Sequence, residues 1–255
     1  MALQETDALI LRTYNLAEAD KIVVCLTRSA GLIRGVAKGS RKLKNRFGAS
    51  LEPFTHVHLT YYEKENQELV SISQTEILRS YFNLLGNPAF FTGMAYMGDL
   101  LMEFSPPHQT NDKLFRMAVA CFEASAQSPD DLQAILRYFE IWLLKLEGFL
   151  ADLRQCSECH RDFEPGEPVY VAPSEFALRC RNCRGSSAHG ISKELHAQLQ
   201  IAQRLPPTKF GEHVRAATVQ TRREMAELTH QLIGRVLERL PRVKPTFAQN
   251  FSSRP

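Results

Sequence analysis

The chain has 255 residues, 44% of them hydrophobic and 23% charged, with a formal net charge of +3. Such a composition suits a soluble globular protein with one large core or two or three smaller ones. A membrane span is excluded: no apolar run approaches the roughly eighteen residues required, and the greasiest segment, Leu132 to Leu150, is broken by Arg137, Glu140, Lys145 and Glu147.

Residues 1–80 read as a small β domain. Asp7–Tyr14, Lys21–Arg28, Leu32–Ala37, Leu51–Tyr62 and Glu68–Leu78 are five runs rich in β-branched, aromatic and aliphatic residues, bounded by turn formers. Ser29-Ala30-Gly31 reads as a tight hairpin connection, and Gly35 inside the third run marks a bulge or a close backbone approach. Five short strands without a helix-length periodic segment predict a barrel of the oligonucleotide-binding (OB) type, although an SH3-like barrel has similar statistics.

The net charge conceals an uneven distribution. Basic against acidic residues count 11 to 9 over 1–80, 4 to 8 over 81–150 and 16 to 11 over 151–255. Between Asp20 and Glu52 there is no acidic residue, whereas Lys21, Arg28, Arg34, Lys38, Arg41, Lys42, Lys44 and Arg46 supply eight positive charges, an electrostatic footprint for a polyanion. Five of them crowd the Lys38–Gly48 loop with Gly39 and Ser40, so flexible backbone and clustered cations predict contact with phosphates rather than with bases. Phe47 is the loop's one aromatic residue, which gives base stacking little support. His56 and His58 share a strand face but have no third ligand and read as structural.

Beyond Asn83 the spacing becomes helical. Helices are predicted over Pro88–Phe104, with Phe91, Met94, Ala95, Leu101 and Met102 as the apolar stripe, over Asp112–Gln127, and over Asp130–Leu150. After residue 187, Ser192 opens a helix through Arg204, and Glu212–Leu240 reads as one long amphipathic helix with Arg215, Arg222, Arg223, Arg235 and Arg239 on its polar side. Residues 242–255 read as a flexible tail.

The most specific local signal is Cys156-Ser-Glu-Cys159, twenty residues, then Cys180-Arg-Asn-Cys183. Two dithiol knuckles at that spacing bring four sulfurs to one ion, and Val169–Val171 with Phe176–Leu178 read as the hairpin between them. Cys156-Ser-Glu-Cys159-His160 also spells a c-type haem attachment motif, but the first residues carry Glu5 and Asp7 and no export leader. A redox dithiol needs only one such pair, and disulfides need an oxidising compartment. The expectation is one structural zinc on Cys156, Cys159, Cys180 and Cys183, with His160 and His189 as solvated neighbours.

Three stretches resemble the bacterial RecO family of DNA repair proteins: Ala8–Tyr14 with Asp20–Val23; Gly31–Arg41 with Arg46–Gly48; and Phe139–Phe149 leading into the first knuckle. The resemblance spans roughly residues 5–200. It implies an OB domain at 1–80, a helical domain at 81–151 and 188–241, and a zinc module inserted at 152–187. It also implies binding of single- and double-stranded DNA, annealing of complementary strands, and, with RecR, loading of RecA onto DNA coated by single-stranded DNA-binding protein, with a functional link to RecF. By position it puts Arg34, Lys38, Arg41, Lys42, Lys44 and Arg46 on the family's basic barrel surface. The lack of a bilayer-length apolar run leads to the expectation of a cytoplasmic protein, at the nucleoid when DNA-bound. No nucleophile with its base, paired acidic metal site or phosphate-cradling Gly-Lys-Thr motif is present, so no enzymatic activity is expected. The rival readings are a zinc-containing protein adaptor for which DNA contact is secondary, and a zinc-dependent nuclease.

Overall fold

A computed structural model describes residues 2–16, 18–63, 68–172, 177–186 and 188–237. The expected tail at 242–255, the end of the last helix with Arg239 and Leu240, and the hairpin residue Phe176 lie outside the described residues. The chain divides into two compact units, 1–122 and 123–255.

The first unit contains a closed barrel of five strands, β1 (Ala2–Leu16), β2 (Asp20–Thr27), β3 (Gly31–Ala37), β4 (His56–Glu63) and β5 (Leu69–Arg79), in the order β1-β2-β3-β5-β4. Only β3 and β5 pair in parallel, and this is the OB arrangement. β1 serves both ends of the closure: Ala2–Leu9 pairs with β4 and Ala8–Leu16 with β2, and a bulge between Ile10 and Arg12 bends the strand from one partner toward the other. Alternation then sorts the side chains, sending Ala8, Ile10, Val23, Cys25, Ile33, Val57, Leu59, Tyr61, Val70 and Ile72 inward. Gly35 is a close approach rather than a bulge, since a Cβ there would stand 2.7 Å from Ile72 Cγ1.

One strand is shorter than its sequence pattern. Residues 51–55 are turns, not strand, although Leu51 and Phe54 are buried and so mimic the alternating pattern. Phe54 sits at φ 69°, and its N–H donates to the Ile10 carbonyl at 2.7 Å while Ile10 N–H donates to Thr55 at 2.9 Å, so this segment fills in beside the β1 bulge.

Two helices complete the first unit, α1 (Pro88–Phe104) and the start of α2 (Asp112–Gln127), both with the predicted limits. The Asn87 side chain caps α1 by accepting N–H bonds from Ala89 and Phe90. Its buried stripe is Phe90, Met94, Met97 and Leu101, with Phe91 47% exposed. The expected stripe was therefore out of phase at Phe91, Ala95 and Met102, because α1 is apolar nearly all round and periodicity fixes no face. An ion pair from Arg12 to the buried Asp99 ties β1 to α1. The linker into α2 is pinned to β3 by His108 N–H on the Leu32 carbonyl (3.2 Å) and to the β2–β3 turn by Arg28 on Asp112 (2.8 Å).

The second unit is built on α3 (Leu132–Leu146), α4 (Lys193–Ala202), α5 (Pro207–Arg215) and α6 (Val219–Val236), with a small sheet of β6 (Val169–Ala172), β7 (Ala177–Cys180) and β8 (His189–Ile191) in the order β7-β6-β8. α3 stops short of the expected Leu150: Gly148 turns left-handed at φ 78°, and the N–H groups of Phe149 and Leu150 fold back onto the Leu144 carbonyl. The single helix expected from Glu212 to Leu240 is two, because the chain leaves helical geometry after Arg215 and Thr218 caps a new start on the Thr221 N–H. The sheet is not an appendage. Val171, Ala177 and Leu178 line a small apolar cavity together with Ile141, Leu199 and Leu232 from α3, α4 and α6.

One polar cluster lies within this core. Arg137 Nη2 is 2.8 Å from Glu140 Oε1, the Thr229 hydroxyl donates to the other carboxylate oxygen, and His230 Nε2 is 2.8 Å from Arg137 Nη1. Burial works to raise the Glu140 carboxyl, but the charge of Arg137 and the bonds from His230 and Thr229 outweigh it and hold the group below its ordinary range. A depressed native pKa stabilises the fold above the unfolded value and loses that contribution as pH falls through the native one.

Two predictions follow from this packing. Gly31→Ala places a Cβ 2.2 Å from the Gln109 carbonyl oxygen at a φ of +64°, whereas Gly48→Ala, at φ +55°, meets nothing within 4 Å. Thermal melts should show Gly31→Ala destabilised by at least about 2 kcal/mol and Gly48→Ala by only about 1 kcal/mol. Glu140→Ala should cost about 3–5 kcal/mol by stranding Arg137, while the paired change Arg137→Met/Glu140→Leu should recover most of it in chemical denaturation.

Candidate metal centre and nucleic-acid interface

Local backbone geometry builds the four-cysteine cluster. His160 N–H bonds the Cys156 carbonyl (2.9 Å) with His160 at φ 57°, and Cys183 N–H bonds the Cys180 carbonyl (3.1 Å), so each Cys-x-x-Cys closes a tight turn with both sulfurs on its inside. Ser157 N–H on the Leu178 carbonyl (2.9 Å) and Cys180 N–H on Cys156 Sγ (3.4 Å) lock the two turns together. Arg161 grips Glu167 through both nitrogens, at 3.0 and 2.6 Å, and braces the loop behind the first turn.

The sulfurs of Cys156, Cys159, Cys180 and Cys183 lie within 4.8 Å of one another, with Cys159 and Cys180 at 4.0 Å. Tetrahedral bonds of about 2.3 Å put sulfurs roughly 3.8 Å apart, so the donor set fits one soft divalent ion and leaves no ligand position open for chemistry. His160 and His189 are exposed and outside the set. Electrostatics agree with a cation site. Burial alone would raise the Cys156 thiol, but N–H donors from Cys159, Cys180 and Glu158 outweigh it and bring the group to about 6, while hydrogen bonding to Cys180 and burial push Cys183 up to about 12. Neighbouring thiolates repel, and a bound dication removes that conflict by displacing the remaining protons.

The predicted basic residues fall on β3 and the β3–β4 connection. Arg34 projects outward from β3, and Lys38, Arg41, Lys42, Lys44 and Arg46 follow at 38–46, all six exposed. The connection is hydrogen-bonded throughout rather than flexible as the glycines suggested. Gly39 N–H donates to Asp20 Oδ1 (2.7 Å) and Arg41 N–H to the Ala19 carbonyl (2.9 Å). Asn45 is the centrepiece: Oδ1 accepts from Phe47 N–H (3.0 Å) and Gly48 N–H (2.9 Å), and Nδ2 donates to the Lys42 carbonyl (3.1 Å). Sequence reasoning missed it, although Asn two residues before Phe and three before Gly is an Asx-turn signature. Phe47 is buried in the barrel core and unavailable for stacking, and Arg46 lies over its ring at 4.9 Å.

Some cations of this stretch are already neutralised. Lys21 pairs with Glu52 and Arg28 with Asp112. Arg34, Lys38, Lys42 and Lys44 have no ion-pair partner among the described residues. In the second unit Arg215 is clasped by the buried Asp131 at 3.0 and 2.7 Å, which removes it from the row of arginines assigned to the last helix, while Arg223 and Arg235 remain exposed on α6. His58 pairs with Asp7 at 3.0 Å and His56 packs edge-on to Phe115, so the two do not form a metal pair.

A closed OB barrel with an exposed cationic connection, joined to a helical unit that carries a tetrathiolate cluster, defines a nucleic-acid-binding protein built on an OB domain. Comparison with known proteins narrows the class. Residues 1–81 match the family profile "Recombination protein O N terminal" and residues 87–245 match "Recombination protein O C terminal". The chain is 30% identical to the DNA repair protein RecO of Koribacter versatilis over 237 residues, 93% of each chain. It is 29% identical to that of Symbiobacterium thermophilum over 95% of this chain and 94% of the relative, and 34% identical to that of Rubrobacter xylanophilus over 73% and 74%. The chain belongs to the RecO family.

Metal retention should depend on pH in a defined direction. Metal binding displaces the thiol protons, so metal content measured by elemental analysis should fall on acidification, and the melting temperature of the second unit with it. Cys159→Ser should lose the ion at neutral pH.

Proposed function

We propose that this RecO-family protein of DNA repair and recombination is a strand-annealing mediator. It binds single- and double-stranded DNA through Arg34, Lys38, Arg41, Lys42, Lys44 and Arg46, and with RecR it helps load RecA onto DNA coated by single-stranded DNA-binding protein. The observation that carries this reading is the ordered cationic connection on an OB barrel, with four side chains that no described carboxylate neutralises. Two strands repel through their phosphates. Cations held on fixed backbone replace the counterions of each strand and lower that repulsion, and pairing itself then drives release. No bond is made or broken, so no catalytic residue is assigned. The metal is zinc on Cys156, Cys159, Cys180 and Cys183 and its role is structural, since four thiolates exclude a bound water. The protein works in the cytoplasm at the nucleoid, linked functionally to RecF. Among the described residues no helix is long and apolar enough to cross a membrane.

The test is fluorescence annealing of complementary oligonucleotides, bare and coated with single-stranded DNA-binding protein. Six phosphate contacts predict a log–log salt slope of about −4 for single strands. Arg41→Glu/Lys42→Glu/Lys44→Glu should anneal at least about ten-fold more slowly while its melting temperature stays near that of the wild type. Unchanged annealing by the folded triple variant would remove these residues from the function.

A further inference from the structure

Annealing requires two strands to be held, and the second unit carries a surface suited to one of them. Cross-strand register puts Tyr170 of β6 opposite Arg179 of β7 and Gly190 of β8. They share the face of the sheet away from Val169, Val171 and Leu178, which are buried. The Tyr170 ring lies against Gly190, where a Cβ would stand 3.8 Å from the ring, an ordinary contact distance. The exposed Arg184 stacks on the ring with its guanidinium 5.2 Å from the centroid and donates from Nη1 to the phenol oxygen at 3.4 Å.

Two further guanidinium groups belong to the same stretch. Arg181 lies inside the second knuckle, between Cys180 and Cys183, exposed and without an ion-pair partner among the described residues. Arg179 stands close enough to the left-handed Gly185 that a Cβ there would come 3.3 Å from its Nη1, and it is matched by Glu158 at 3.3 Å. An arginine stacked on a tyrosine keeps its charge, its second planar face and its N–H edge for a ligand. A planar cation beside an aromatic ring, with a second exposed cation three residues earlier in the chain, is the chemistry that takes a nucleobase together with its phosphate.

We propose that the Tyr170 face of the β7-β6-β8 sheet is a second single-stranded DNA contact, in which Arg181 and Arg184 hold phosphates and the Arg184–Tyr170 stack receives a base. The proposal rests on the annealing reading above and supplies its second strand. The knuckle fixes the backbone on both sides of Arg181, so the cysteine cluster positions a contact as well as a fold.

The experiment is photocrosslinking of the wild-type full-length protein to single-stranded DNA substituted with 5-iodouracil, with the adduct mapped by mass spectrometry. It is paired with annealing by Arg181→Glu/Arg184→Glu and by the milder Arg181→Gln/Arg184→Gln. Adducts at Tyr170 or its neighbours are expected. So are an annealing rate about ten-fold lower in the Glu variant and a salt dependence of annealing shallower by about 1.4 in log–log slope, the share of two phosphates on the second strand, at unchanged metal content. Adducts confined to residues 38–55, or annealing by the folded Gln variant at the wild-type rate and slope, would overturn it. A wild type that fails to anneal yet crosslinks at Tyr170 would sink the annealing reading and leave this contact standing.

Discussion

Closure of the β barrel is the constraint on which the first unit depends. A strand that must pair with β4 along one half and β2 along the other has to bend, and β1 does so at its Ile10/Arg12 bulge. The bend leaves backbone groups that Phe54 and Thr55 satisfy, which holds the end of the β3–β4 connection against β1. Phe47 and Leu51 anchor it in the core. The cations that precede these anchors stand on backbone tied to Ala19 and Asp20 at one end and to the buried Phe47 at the other. Preorganisation of this kind spares the ordering entropy that a floppy basic loop would lose on binding.

The second unit solves a different problem. Among the described residues of 147–192 the regular structure is confined to the short strands β6 to β8, and the bond from Ser157 N–H to the Leu178 carbonyl ties the first cysteine turn to β7. The sheet contributes its inner face to the helical core, so the four-cysteine cluster, which could hold a metal ion, is packed onto the helices through β6 and β7. The Arg137–Glu140–Thr229 cluster is the opposite device, a buried charge pair that joins α3 to α6 at the expense of acid stability.

The fold was legible in the sequence wherever one physical signal dominated. Alternation and turn residues located five strands, caps and prolines located α1 and α2 to the residue, and cysteine spacing located the cluster. Failure came where two signals compete. Leu51 and Phe54 carry strand-like burial on irregular backbone, α1 is too uniformly apolar to reveal its inner face, and the polar surface of 212–236 conceals a break that only the Thr218 cap betrays. At the site the residue types were readable and their partnerships were not. Charge counting cannot show that Arg215 is occupied by Asp131, from which it is separated by 84 positions, or that Asn45 holds the basic connection in shape.

The central claim is that geometry, and not charge alone, makes the β3–β4 connection a DNA surface. Asn45→Ala tests it most directly, because every cation is kept while three hydrogen bonds that shape the connection are lost. The measurement is single-strand affinity by fluorescence anisotropy across a salt series, with the melting temperature as control. The account predicts an intact barrel and affinity lower by about five-fold, roughly 1 kcal/mol, from lost preorganisation. Wild-type affinity in Asn45→Ala would contradict it and reduce the connection to a carrier of charge.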